Sequence, residues 1–383
     1  MRSVMKPQPA TASGALLSST HRMAPRKSID LAAHLVDLCR TAGLSGHEAP
    51  VRNVLRRAWR PLVDELSGDR IGSLWGIRRA ARRPAGRILL AAHMDSIGLL
   101  VTRIQDGFLF FAAIGGIDAR VLPGALVQVH ATRAGRSTAL PGVITSRPPH
   151  VQSADEKRKV TPVHQLMVDL GLSAAQTARS VEIGDLIVFA QPPLRLGGDL
   201  LLAPALDNRA SVAALTGCLA HLRGQALQWD VVAAATVQEE EGFAGAYSSA
   251  FAAQPDAAIA IDVTFGRQPG LPEWKTFKLG EGPTVSFGPN LHPQMGAALM
   301  EVAAANAISC ARDVMPLHSG TDAYAMQVSR AGIPCGLVSI PLRNMHTPVE
   351  VVAMADVEQA ARLLAKFVLA LDGKFRKRLK VHP

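Results

Sequence analysis

The stretch WDVVAAATVQEEEG, Trp229 to Gly242, restricts the architecture of this chain more than any other. From Val231 to Val237 it is a largely apolar run rich in β-branched side chains, the pattern of a strand buried on both faces. Such a strand needs helices on both sides, which points to an α/β sheet with parallel strands. The run ends in Gln238 and three successive acids, Glu239, Glu240 and Glu241. In open α/β sheets, ligands bind outside the carboxyl ends of the strands. Three adjacent carboxylates repel one another unless a proton or a cation relieves them. Taken alone, the triplet is equally consistent with a solvated acidic turn.

The same design recurs. The apolar run RILLAA, Arg87 to Ala92, leads into His93, Met94, Asp95 and Ser96. Alternation along a strand puts His93 and Asp95 on one side, an arrangement suited to a metal-bound imidazole oriented by a carboxylate. The run from Ala257 to Ile261 ends in Asp262, and the run from Cys335 to Ile340 leads through Leu342, Arg343, Asn344 and Met345 into His346. Asp207, in APALDNRAS, precedes a helix expected over 210–222. Each element has a plain structural explanation by itself: an isolated HxD is commonly accidental, and Asp207 could simply cap its helix. Together, two imidazoles and several carboxylates at strand ends match what zinc, cobalt or manganese accept, and they point to a two-metal site.

Elsewhere the chain reads as scaffold. Ser28 or Asp30 can cap a helix carrying Leu31, Leu35 and Leu38 and closing near Gly43, and Val51, Val54, Leu55 and Trp59 mark a second amphipathic helix. Between 99 and 192, short alternating segments (LLVTRI, FLFFAAI, ALVQVH, GVIT, DLIVFA) lie among glycines and prolines. They predict an inserted β-barrel-like or sandwich domain with one short helix around 162–170. Lys157, Arg158 and Lys159 read as a solvated loop. Further helices are expected at 244–253, 294–307, after the Gly-Thr-Asp turn at 320–322, and at 356–371. The expected fold is α/β: a three-layer α/β/α catalytic domain (30–98 and 193–373) interrupted by the β-rich domain (99–192). A disordered basic extension (1–29) and a basic tail (374–383) flank it.

The formal charge of +10 does not imply a nucleic-acid partner. Arg2, Lys6, Arg22, Arg26 and Lys27 at one end, and Lys374, Arg376, Lys377, Arg378 and Lys380 at the other, account for all of the excess. Residues 30–373 are neutral, so no built nucleic-acid site is expected. No apolar run approaches the roughly 20 residues of a membrane span. Cys39, Cys218, Cys310 and Cys335 are far apart and form no CxxC, as expected of thiols in a reducing compartment and not of a thiolate-bound metal. No apolar h-region of a secretory signal is seen, and a cytoplasmic protein is expected.

The segments AAHMDSIGLLV, ALDNRAS, TVQEEEGFAGA, AIDVT and GTDAYAMQ…GIPCGLVSIPLRNMHTPVEVV resemble, in order and spacing, the M42 family of dinuclear metallo-aminopeptidases. That family includes glutamyl and deblocking aminopeptidases and the tetrahedral TET peptidases. VLPG, SRPPH and EKRKV look like its second domain, and the likeness covers roughly residues 30–372. The resemblance implies two divalent ions per subunit (zinc or cobalt, with manganese admissible), bridged by Asp207. It implies that His93 and Asp262 complete one metal and Glu240 and His346 the other, with Glu239 as general base and Asp95 orienting His93. It also implies peptide substrates with a free N-terminus and a homo-oligomer, in which the inserted domain dimerises and dimers build a dodecamer. Two positions depart from the family's pattern. Ser96 stands where Glu is frequent, and Glu241 where a small apolar residue is usual; the glycine after the triplet favours Glu239 and Glu240 as the working pair. Three other readings compete. The first is a metal-dependent amidase or deacylase acting on small N-acyl amino acids. The second is a glycosidase, which leaves His93, His346 and Asp207 without a role and sits poorly with 4% aromatic residues. The third is an inactive metal-binding scaffold.

Overall fold

The computed structural model describes residues 29–133 and 136–380, so all but the last residue of the expected basic extension (1–29) lies outside the described residues. An 11-stranded mixed sheet forms the centre. Asp230–Thr236 runs parallel to Arg87–His93, which runs parallel to Ala257–Phe265, which in turn runs parallel to Cys335–Arg343. Antiparallel strands extend this core. Leu74–Arg78 pairs with Asp230–Thr236, while Glu350–Ala353, Leu200–Ala203 and Leu194–Leu196 extend the opposite side.

The three layers follow from period two along the strands. Ile88, Leu90, Ala92, Val231, Ala233 and Ala235 face one core. There they meet the helices Leu31–Arg40, Ala49–Trp59, Leu206–Leu222 and Met354–Ala370. Their immediate neighbours Leu89, Ala91, Val232 and Ala234 face the opposite core, against the helices Ala244–Ala253 and Asp322–Gln327. A strand apolar at every position is therefore covered twice, and a slip of one residue would exchange its two faces.

Six strands between Gly98 and Phe189 close into a barrel around Leu99, Val101, Leu109, Phe111, Val127, Val129, Ile144, Val168 and Ile187. The helix expected around 162–170 is not there. Val163–Gln165 is a single 3-10 turn, and Met167–Asp169 is a barrel strand paired with Val143, Ile144 and Thr145. Burying Val168 in the barrel requires the extended conformation, and that tertiary demand overrides the local pattern. The helix of this region lies later, at Ala174–Ser180, where Ser173 and Gln176 form a capping box.

The basic C-terminal stretch begins with a short helix, Phe375–Arg378, packed on the body of the protein. The buried Phe375 ring meets Trp229 and Phe367 at centroid separations of 6.1 and 5.7 Å. The Trp229 indole N–H donates to the Asp372 carbonyl at 3.0 Å, and Arg376 pairs with Asp256 at 2.7 Å.

Candidate metal centre

Because the four central strands are parallel, their carboxyl ends share one edge of the sheet. His93 is the last residue of its strand and Asp262 lies near the end of Ala257–Phe265. His346 follows Cys335–Arg343 with φ of 60°, and the one-turn helix Glu239–Gly242 follows Asp230–Thr236. Asp207 reaches the same edge from a break at the start of Leu206–Leu222, where Asp207 and Asn208 leave helical geometry across a cis peptide bond. Asn208 Nδ2 donates to the Ile261 carbonyl at 2.9 Å. The fully buried Arg209 donates to the carbonyls of Leu38, Thr41 and Gly43 at 2.8, 3.2 and 3.1 Å. The break is thus pinned to the strand Ala257–Phe265 and to the segment that ends the first helix.

These elements bring all five expected ligands together. His93 Nε2 lies 3.3 Å from Asp207 Oδ1 and 3.9 Å from Asp262 Oδ1. His346 Nε2 lies 3.4 Å from Asp207 Oδ2 and 3.6 Å from Glu240 Oε2. Each of the groups His93–Asp207–Asp262 and Asp207–Glu240–His346 has its ligand atoms within 4.8 Å of one another, and Asp207 belongs to both. Glu239 Oε2 stands 3.8 Å from His93 Nε2 and belongs to neither group. Asp95 Oδ1 lies 3.4 Å from His93 Nδ1. Its two oxygens also accept the backbone N–H of Glu239 and of Glu240, at 3.1 and 3.2 Å. One buried carboxylate therefore ties the imidazole to the acidic turn.

That turn is confined further. Gln238 and Phe243, which bracket it, both have left-handed φ, 56° and 62°. Gly245 N donates to the Val237 carbonyl at 2.9 Å, and a Cβ on Gly245 would lie 2.4 Å from Val237 N and 2.6 Å from its O. Backbone cannot give way as a side-chain tip can. Gly245→Ala is expected to cost about 1–3 kcal/mol through this overlap, read as a lowered midpoint in denaturant unfolding. An unchanged midpoint would remove the close approach as a constraint.

Three supporting carboxylates were not singled out in the sequence. Glu350, 1% exposed, accepts Asp207 N–H at 3.0 Å and His346 N–H at 2.8 Å, fixing the backbones of residues from both halves of the site. Glu48 accepts from Gly46 N and Gln238 N at 2.7 and 3.2 Å, and Asp322 accepts from the Thr236 hydroxyl at 2.6 Å. A signal existed for Glu350: a lone acid in the apolar, β-branched run VEVVA.

The electrostatics fit divalent cations. Burial pushes Glu239 up to about 10, opposed by His93 and helped by Asp262, Asp322 and Asp207. Burial, with Asp207, pushes Glu240 up to about 7, and burial holds Asp262 well above the usual carboxylate range. Asp207 goes the other way: against its burial, hydrogen bonds with His346 and His93 hold it below the ordinary range. The bond to Asp207 raises His346 to about 9. Burial alone would lower His93, but Glu239, Asp207 and Asp95 raise it well above its ordinary value. The cluster thus holds more buried negative charge than two imidazoles can balance, and bound cations relieve it where protons otherwise must. Three carboxylates and two imidazoles as candidate ligands, with no thiolate, suit zinc, cobalt or manganese.

Of the two departures, Ser96 is buried and its hydroxyl donates to the Gly43 carbonyl at 3.3 Å. Glu241 accepts from Gly115 N at 2.6 Å, across the junction with the barrel.

Most of the chain is similar to known proteins. A family model described as M42 glutamyl aminopeptidase matches residues 72–363. A lysyl aminopeptidase of Pyrococcus furiosus is 32% identical over 327 residues, covering 84% of this chain and 92% of the relative. Among solved structures, an aminopeptidase from the archaeon Desulfurococcus kamchatkensis is 33% identical with a TM-score of 0.85, covering 92% of this chain and 98% of its own. The TET1 peptidase of Pyrococcus horikoshii, which can assemble into a tetrahedron or a large octahedral shell, is 30% identical with a TM-score of 0.78. That match covers 89% of this chain and 100% of the TET1 chain.

Proposed function

The chain belongs to the M42 peptidase family and is an aminopeptidase, and from that premise we propose that it releases N-terminal residues from peptides at a pair of divalent cations. His93 and Asp262 would hold one, Glu240 and His346 the other, and Asp207 both. The observation that carries this reading is the placement of Asp207, one oxygen 3.3 Å from His93 and the other 3.4 Å from His346. Zinc or cobalt suits the donor set.

When bound, such a pair acidifies a water molecule and polarises the scissile carbonyl. The remaining work falls to side chains. Glu239, beside both ligand groups, takes the proton of the attacking water at Oε2 and delivers it to the leaving amine nitrogen. Asp95 faces His93 Nδ1, which leaves Nε2 free as the ligand atom, and its bonds to the Glu239 and Glu240 amides hold the base in register with the ligands. The surplus of carboxylates around the cluster complements a substrate's α-amino group, the feature that distinguishes a chain end from an internal peptide bond.

The assemblies formed by the TET1 relative support a homo-oligomer of this chain. Among the described residues, no helix is long and apolar enough to cross a membrane.

The reading is tested with zinc- or cobalt-loaded protein, a panel of free-amine aminoacyl substrates and their N-acetylated twins, each with and without chelator. Cleavage confined to the free-amine set and abolished by chelator is expected. Cleavage of the acetylated set would replace the aminopeptidase reading with that of an N-acyl amidase.

A further inference from the structure

The barrel strand Phe108–Ile114 runs directly into Gly115 and Gly116, and these two peptide units lie over the proposed metal centre. Gly115 has φ of 76°, and a Cβ there would fall 3.4 Å from Glu240 Cβ and Oε2 and 2.6 Å from Ile97. A Cβ on Gly116 would fall 3.1 Å from His346 Nδ1. The positive φ of Gly115 and its approach to Ile97 suit glycine, a Cβ on Gly116 would require His346 to shift by a few tenths of an ångström, and two glycines in succession add conformational freedom.

Two hydrogen bonds restrain that freedom. The Gly116 carbonyl lies 2.7 Å from His346 Nδ1, so an Nδ1–H donates to it and His346 Nε2 is left to face Asp207 and Glu240. The Gly115 N–H donates to Glu241 Oε1 at 2.6 Å. Among the described residues, no other hydrogen bond holds Gly115 N–H or the Gly116 carbonyl. The contacts form a closed loop through Glu241, Gly115, Gly116, His346 and Glu240, with Glu240 adjacent in sequence to Glu241. Other parts of the loop are anchored independently, His346 through Glu350 and Glu240 through Asp95. At Gly115 N–H the barrel segment is held by Glu241.

We propose that Glu241 is a positioning residue. By accepting from Gly115 N–H it fixes the Gly115–Gly116 segment, so that the Gly116 carbonyl sets the tautomer and direction of His346. It thereby supports the Asp207–Glu240–His346 half of the centre and not the His93–Asp207–Asp262 half. This inference rests on the ligand assignment above. It also makes the barrel a part of the metal centre, because one of its backbone carbonyls orients a ligand.

The experiment titrates metal-free full-length protein with zinc against a chromophoric chelator, for the wild type, Glu241→Ala and Glu241→Gln. The wild type is expected to bind two cations. Glu241→Ala should weaken one of them by about 10-fold or more, the usual effect of removing a partner that orients a ligand, and leave the other within about twofold. Glu241→Gln retains an acceptor oxygen and should recover most of the loss, and the unfolding midpoint of the metal-free protein should not move. Unchanged affinities in Glu241→Ala, equal weakening of both cations, or a Gln variant no better than Ala would each overturn the role given to Glu241. A wild type that fails to bind two cations would instead overturn the ligand assignment, and this inference with it.

Discussion

Glu239→Gln is expected to keep both cations and to lose turnover by about 10³-fold or more, toward the upper part of the range for removing a general base. The substitution changes one oxygen to an amide nitrogen and little in volume. The tie that holds this residue in place runs from its backbone N–H to Asp95, so the turn survives. Glu239 also stands outside both ligand groups, so metal content should survive with it. The amide cannot take a proton from water. The loss should therefore appear in kcat, with KM little changed, because substrate binding does not depend on the missing proton acceptor. Elemental analysis beside steady-state kinetics checks both halves of the expectation. A kcat within about tenfold of wild type would remove Glu239 as the base, and loss of a cation would make it a ligand.

The parts of this site that could be read in the sequence are those governed by short-range periodicity. A strand covered on both faces is apolar at every position, so a His or Asp at its carboxyl end stands out against Val231–Val237, Arg87–Ala92 or Ala257–Ile261. Of the supporting groups, Glu350 shares that contrast, as the lone acid of VEVVA, but its partners are not local. Glu48 meets Gln238 and Glu350 meets Asp207 across separations of 190 and 143 residues, and nothing near Glu48 or Glu350 announces the partner. Edge strands were obscure for a related reason. Glu65–Gly68 is half exposed and only four residues long, so neither face imposes an apolar pattern. In the barrel, the residues around Pro162–Leu170 pass as a helix until the pairing of Met167–Asp169 is known. Glu241 is legible as an acid but not as a tether, because its partner Gly115 lies on a different domain of the fold.

Substituting Asp207 should empty the centre more completely than any other single ligand change. Its two oxygens serve two different imidazoles, so Asp207→Ala leaves each group with only two residues and removes the one negative charge shared between two cations. Two cations held by one carboxylate would repel each other, and its charge would offset that repulsion. Asp207→Asn isolates the charge: the side chain keeps its shape, but a neutral amide is a weaker bridge. Both variants should lose both cations together, with turnover falling to that of the metal-free protein. By contrast, Asp262→Ala or His346→Ala each removes a ligand from one group only and should lower the occupancy of one cation more than the other. The Glu350 bond to Asp207 is made to the backbone N–H, so the local fold should persist and the deficit should be in metal. Elemental analysis of all four variants after equilibrium dialysis separates these patterns. Two cations retained by Asp207→Asn would sink the bridging role. Full occupancy in both Asp262→Ala and His346→Ala would sink the ligand assignment from which that role is inferred.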